Sequence, residues 1–325
     1  MAAFLLRRLL WAVLLVFAAS VLVFVLVANA GDPLAALRNQ PDVTREVIEA
    51  RRHEMHLDRP VMQRYGEWLT RFVRGDLGKS VGGSDVRELL WARLQVTLRM
   101  VTTATVIAIG ISVVLGATGA VRRDSAFDRG ARLVTYLFLA LPIFWVGGLL
   151  KEYAAIRLNR LLGHQIIFTV GEADPNLTGG LFHRLANYSG HLVLPTITLV
   201  LAPIAVWSRY LRSSMLDVLG RDYMRTARAK GLSETRVVIG HGLRNALIPL
   251  TTLLGLHFGH LFAGAVIVER VFSWQGMGQM LVDGVVTVDT NVVLAWLMVT
   301  ATTVTVFNLL ADLAYGWLDP RVRYD

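Results

Sequence analysis

An all-α integral membrane protein with six transmembrane helices is predicted by three observations. The 325-residue chain is 54% apolar with a mean hydropathy of +0.51, above the roughly 45–50% apolar content of soluble domains. Six apolar stretches recur along it, most close to the about 20 residues that cross a hydrocarbon core about 30 Å thick. The segments joining them alternate between Arg-rich and Arg-poor, as the positive-inside rule requires.

Span 1 is Leu9–Ala28, 20 uncharged residues behind Arg7 and Arg8. This run is longer than the roughly 7–15 residues of a signal-peptide core, although Ala28-Asn29-Ala30 resembles a cleavage site. Residues 30–95 are polar and nearly neutral, with 11 Lys and Arg against 10 Asp and Glu. They carry amphipathic helical pieces, one near Val61–Val73. Span 2 is Met100–Val121, with Gly116 and Gly119 suited to close helix contact. Span 3 is Leu133–Leu150, interrupted by Pro142. Residues 151–191 form an outer segment. Span 4, Leu192–Trp207, is short and holds Pro195 and Pro203. Span 5 is Ala246–Val268, with Pro249, His257 and His260. Residues 269–290 lie outside, and span 6 is Val292–Ala311. Inner segments then carry 16 Lys and Arg against 5 in the two shorter outer ones, which places both termini in the cytoplasm.

Several chemistries are excluded. The chain has no cysteine, so disulfides, thiolate catalysis and cysteine-ligated zinc are absent. His53-Glu54-Met55-His56 falls short of the zinc-protease pattern, because Leu57 stands where the second histidine belongs; it reads as solvated surface. Gly78-Lys79-Ser80 resembles the end of a phosphate loop, but Val73 occupies the place of the first glycine. The chain is therefore expected to bind no cofactor or metal of its own.

The stretch Arg221–Asn245 is a basic, water-compatible run between two apolar spans. It reads as two short helices. Asp222 caps the first, Tyr223 to Lys230 forms it, and Gly231 takes the left-handed position after it. Ser233 caps the second, with Glu234 in its first turn. A DNA-binding helix-turn-helix and a loop docking on a soluble partner both fit this pattern. The flanking spans favour docking, because a helix pair tethered at both ends beside a bilayer is poorly placed to enter a major groove. His257 and His260 share a face of span 5 and are candidates for lining a path, as well as for bonding a neighbouring helix. Glu269 is expected at the outer interface, facing a partner.

Tyr223–Pro249, YMRTARAKGLSETRVVIGHGLRNALIP, resembles the cytoplasmic coupling loop of ABC-importer permeases, in the version found in the peptide and nickel (OppB/DppB-like) family. Other pieces agree in order: the N-terminal RRLL, Leu57-Asp58-Arg59-Pro60, Gly75-Asp76-Leu77-Gly78-Lys79-Ser80, Phe272-Ser273-Trp274-Gln275-Gly276-Met277-Gly278, and Leu318-Asp319-Pro320-Arg321-Val322-Arg323-Tyr324. One departure stands out. Where the family has Glu-Ala-Ala before the glycine, this chain has Arg225, Thr226 and Ala227.

The resemblance implies a MetI-like type I permease with four parts: a transmembrane helix over 1–29, an extracytoplasmic segment over 30–95, a permease core over 96–317 containing the coupling loop 208–245, and a cytoplasmic tail over 318–325. It implies that Asp222, Tyr223, Arg225, Thr226, Ala227, Arg228, Ala229, Lys230 and Gly231 seat in an ATPase groove, with Arg225, Arg228 and Lys230 available to acidic groups. It also implies a bacterial cytoplasmic membrane location, a second permease, two ATPase subunits carrying ATP and Mg, and an extracytoplasmic substrate-binding protein. The cargo is then a dipeptide, an oligopeptide or a nickel complex. The chain would be a transport subunit and no enzyme. An ion-coupled secondary transporter acting alone is the competing class; it predicts inverted repeats and mid-span acidic residues, which the sequence lacks.

Overall fold

The computed structural model describes residues 2–38, 43–174 and 179–318, which leaves most of the 318–325 tail outside the described residues. The described chain is helical. In order come α1 (Ala2–Ala30), α2 (Ala35–Arg38), α3 (Arg45–Glu54), α4 (Val61–Val73), α5 (Val86–Val121), α6 (Ala126–Ala140) and α7 (Ile143–Leu149). A π-helical stretch, Leu150–Arg157, leads into α8 (Leu158–Leu162). Then follow α9 (Leu181–Leu219), α10 (Asp222–Ala229) and α11 (Glu234–Arg236). A second π-helical stretch, Val237–Leu243, joins α11 to α12 (Arg244–Phe272), and α13 (Met277–Val286) and α14 (Thr290–Leu318) come last. Among the described residues, five helices are long and apolar enough to cross a membrane, or six if the bent pair formed by α6 and the α7–α8 arm is one span.

The spans differ from expectation mainly in length. Span 4, expected to be short, is the core of the 39-residue α9, with Pro195 and Pro203 inside it. At 1.5 Å per residue it is about 58 Å long, far more than a bilayer needs. Span 2 likewise belongs to a 36-residue helix that starts at Val86. Span 3 breaks where expected. Leu141 is extended at φ −91° and ψ 128°, as the residue before a proline tends to be, and the chain bends there by 103°. Residues 151–162, expected in an outer segment, continue the helix beyond the bend. Residues 277–286 form α13, which was not expected.

The chain divides into two compact units, one built from Met1–Val96 and Gln275–Thr305, the other from Thr97–Trp274 and Val306–Arg323. In the first unit α4 has the expected bounds. Its Tyr65 and Trp68 form a buried cluster with Phe24 of α1 and Leu294 of α14. Tyr65 stacks on Trp68 at 5.9 Å and meets Phe24 edge-on at 5.4 Å; such offset and edge geometries suit ring quadrupoles. The segment 75–85 is a turn fastened to the start of α14. Asn291 Nδ2 donates to the Lys79 carbonyl at 2.8 Å, and the Val81 amide donates to Asp289 Oδ2 at 2.5 Å.

In the second unit α9 is central and packs most extensively on α12 and α6. Its Trp207, Leu211 and Met215 are fully buried. Gly116 of α5 lies against α9 so closely that a Cβ there would stand 2.7 Å from the Ser208 carbonyl oxygen and 3.0 Å from Leu211 Cβ. The contact proposed for Gly116 and Gly119 is therefore real. Beside it, Asp128 at the start of α6 is 1% exposed and takes a bidentate pair of hydrogen bonds from Arg212, both 2.6 Å. Lys151 donates to the Val271 carbonyl at 2.9 Å, one residue from the end of α12, where a cation complements the helix dipole.

Gly116→Val is expected to destabilise the protein by about 1–3 kcal/mol through overpacking. Gly110→Val, a site with nothing within 4 Å, is expected to be neutral, and thermal unfolding in detergent distinguishes them. Asp128→Asn removes the main counter-charge of the partly exposed Arg212 and is expected to cost about 1–3 kcal/mol in the same assay.

Candidate functional site

The basic stretch forms α10, a sharp turn and the start of a second helix. Asp222 does not cap α10. Arg221 holds the cap position at φ −75° and ψ 150°, and Asp222 is the first helical residue with its side chain 97% exposed. Its carboxylate still lies in the first turn, where the helix dipole favours it. Met224 and Ala227, three apart on one face, are buried in a cluster with Val237, and Val218, Leu219 and Leu232 pack around them. The opposite face is open: Tyr223, Arg225, Thr226, Arg228, Ala229, Lys230 and Gly231 are all exposed. Ala227 was expected among the docking residues, but its burial makes it a packing residue.

Gly231 adopts φ +77°, as expected for the position closing the helix. A non-glycine residue pays steric strain in this region. Across this turn Arg228 grips Glu234 with two hydrogen bonds, Nη2–Oε1 at 2.8 Å and Nε–Oε2 at 3.0 Å. That hydrogen bonding raises the Arg228 pKa above its ordinary value. Arg228 is therefore engaged with Glu234 within the loop while its side chain stays 39% exposed. Arg225 stands 3.7 Å from Asp222 and remains 77% exposed, and Lys230 is exposed.

The second short helix is not separate. Ser233 takes the cap position of α11 but makes no side-chain capping bond. From Glu234 the helix runs through its π-helical stretch into α12 without a break. No residue of Glu234–Ile248 is a proline, so nothing interrupts the backbone ladder there. The expected loop 208–245 is correspondingly shorter at its front, because Ser208–Leu219 belongs to α9. Ser214 of α9 donates to the Ala246 carbonyl of α12 at 3.0 Å. A Cβ on Gly242 would sit 3.3 Å from Met224 Cε, so α10 packs directly on the root of α12. The arrangement is a cationic, convex ridge on a short helix held against two long ones.

The other site expectations fare differently. His257 is half-buried, and its ring lies edge-on to Trp207 at 6.4 Å. The side chain of His260 lies outside the described residues. Glu269, expected at the outer interface, is fully buried and accepts a hydrogen bond from the Thr97 hydroxyl. Among the described residues no group of three His, Cys, Asp or Glu is placed to hold a metal. Sequence reasoning missed Glu234 as a partner for Arg228, and Met224 and Val237 as the seat of α10. The apolar spacing of Met224 and Ala227 was the available signal for the latter.

Comparison with known proteins adds the following. Residues 100–324 match the family model described as "Binding-protein-dependent transport system inner membrane component", and residues 1–88 match that of its N-terminal membrane component. The chain is 42% identical over 324 residues to the oligopeptide transport system permease protein OppB of Mycobacterium bovis, covering 99% of each chain. It is 37% identical over 306 residues to the dipeptide transport system permease protein DppB of Escherichia coli K12, covering 90% of each. In fold it resembles a chain of the MetNI methionine ABC transporter, with a TM-score of 0.56, 15% identity, and coverage of 72% of this chain and 97% of that one.

Met224→Ala is expected to weaken the seat of α10 by about 2–5 kcal/mol, as for other buried Met truncations. Gly231→Val is expected to cost about 1–2 kcal/mol through its left-handed backbone. Hydrogen exchange checks both: the amides of 222–236 exchange faster in each variant, while those in the middle of α9 do not.

Proposed function

The chain belongs to the OppB/DppB-like family of ABC-importer permeases, and we propose that it carries peptides across the membrane by transmitting ATP-driven movement through the ridge of α10. It is a transport subunit and not an enzyme. The cargo reading rests on the oligopeptide and dipeptide permeases that share its sequence over nearly the full length. Those relatives do not favour an ion-coupled transporter acting alone.

The observation that carries the mechanism is the exposed face of Tyr223, Arg225, Thr226 and Lys230 on a helix clamped to the root of α12. In the proposed assembly this face seats in a groove of a partner ATPase, and two ATPase subunits supply ATP and Mg. A second permease completes the path, with His257 on α12 as a candidate lining residue. When the ATPases close, the ridge moves and the long helices behind it follow. The absence of Glu at position 225 is compatible with this, because the seat depends on shape and on the cationic face. The positive-inside balance supports cytoplasmic termini and a bacterial cytoplasmic membrane location. The segment 30–95 then lies outside, where it receives a substrate-binding protein.

Co-expression with the neighbouring transport subunits tests this. A tag on this chain is expected to recover a second permease and ATPase activity. Arg225→Glu combined with Lys230→Glu is expected to lower recovery of the ATPase at least about tenfold, since like charges opposed across an interface cost several kcal/mol. A chain that purifies alone and transports in liposomes without ATP contradicts the proposal.

A further inference from the structure

The first unit contains a cleft of about 330 Å³ lined by the cations Arg51, Arg64, Arg71 and Lys79 and the acids Glu54, Glu67, Asp76 and Asp85. Its walls include Phe24 of α1, Arg64, Trp68 and Arg71 of α4, and Lys79 of the 75–85 turn. Arg64, Trp68 and Arg71 follow at i, i+4 and i+7, so they share one face of α4. The acids lining the cleft are already engaged. Glu54 takes a hydrogen bond from Arg51 at 2.5 Å, and Glu67 takes one from Arg59. Asp76 accepts from the Gly78 amide at 2.8 Å, and Asp85 from the Arg87 amide at 2.8 Å.

Arg51 is matched by Glu54, but two other cations are not. Among the described residues, Arg64 and Arg71 form no ion pair and no side-chain hydrogen bond. Arg64 is partly buried, and its guanidinium stands 5.9 Å from the centre of the Phe24 ring. Burial draws its pKa below the ordinary value, with no carboxylate to offset the loss of water. Lys79 touches the acids only through the field it exerts on Glu54. Trp68 is 2% exposed, and its indole N–H is a buried donor with no acceptor. Buried donors of this kind ordinarily have partners.

We propose that this cleft binds a small solute through an oxyanion, a carboxylate or a phosphate, held by Arg64 and Arg71. A guanidinium presents a planar fork that matches either group. The two arginines are about 10.5 Å apart along the helix, and flexible side chains close that gap onto one anion or span a ligand bearing two. The cleft is near the lower end of the roughly 300–1,000 Å³ of small-molecule sites. That size suits a solute better than a docked protein surface.

The test is calorimetric titration of the intact assembly, without transport, so that its outcome is independent of the importer reading. The probes are inorganic phosphate, N-acetyl-alanine and the uncharged N-acetyl-alanine amide. Saturable binding of phosphate or N-acetyl-alanine, and none of the amide, is expected, and the better-binding probe identifies the oxyanion. Arg64→Gln and Arg71→Gln are each expected to weaken it by roughly ten- to a hundredfold, the range for losing a charged hydrogen bond. Arg74→Gln, an exposed neighbour outside the cleft, is expected to change nothing. If Arg64→Gln fails to fold, Arg71→Gln and the charge-preserving Arg64→Lys carry the test. Equal binding of the amide, no binding of either anion, or anion binding indifferent to both arginines overturns the proposal. So does a loss confined to the docking of a partner protein.

Discussion

The bidentate contact between Asp128 and Arg212 is the interaction on which the second unit depends. Asp128 begins α6, Arg212 lies on α9, and a Cβ on Gly119 of α5 would sit 3.2 Å from Asp128 Oδ1. Three helices therefore meet at one ion pair. A buried pair is weak as a source of net stability, because desolvating both ions offsets their attraction. Its value here is geometric. The fork of the guanidinium admits one orientation of the carboxylate, and so fixes the rotation of α9 relative to α6. Close approach of α5 at Gly116 then fixes their spacing.

From that fixed point α9 continues only seven more residues before the turn into α10. The ridge is consequently placed by the same helix that organises the bundle. Its other anchor is α12, reached through the Met224, Ala227 and Val237 cluster and through the Arg228–Glu234 grip. A ridge attached to two long helices transmits displacement, whereas a loop with its own hinges would absorb it. A π-helical stretch, Val237–Leu243, lies in this path. Such stretches are rare and occur often at functional sites.

Much of this was legible in the sequence, and the illegible parts share a cause. The bounds of α4 followed from its amphipathic spacing, the break at Pro142 from proline chemistry, and the left-handed Gly231 from its place after a basic last turn. These are local effects. Asp128 and Arg212 are 84 positions apart, and no local rule pairs them. Arg228 and Glu234 are six apart, a spacing that no regular helix brings together; only the left-handed turn at Gly231 does. Hydropathy marked the apolar middle of α9 and α5 but not their ends, because there the buried residues, such as Leu211 and Met215 or Val86 and Leu90, are interspersed with polar ones. Glu269 looked exposed because it follows the span, while in three dimensions Thr97 covers it.

The central claim is that α10 and the root of α12 move as one body. The chain has no cysteine, so Arg221→Cys at the cap of α10 and Ile239→Cys, both at exposed positions, give a clean pair of spin-label sites. Pulsed distance measurements on the assembled transporter, without nucleotide and with ATP trapped, test the claim directly. A single narrow distance unchanged between the two states is the predicted result. A shift of several ångströms between them, or a broad distribution in either, would contradict it.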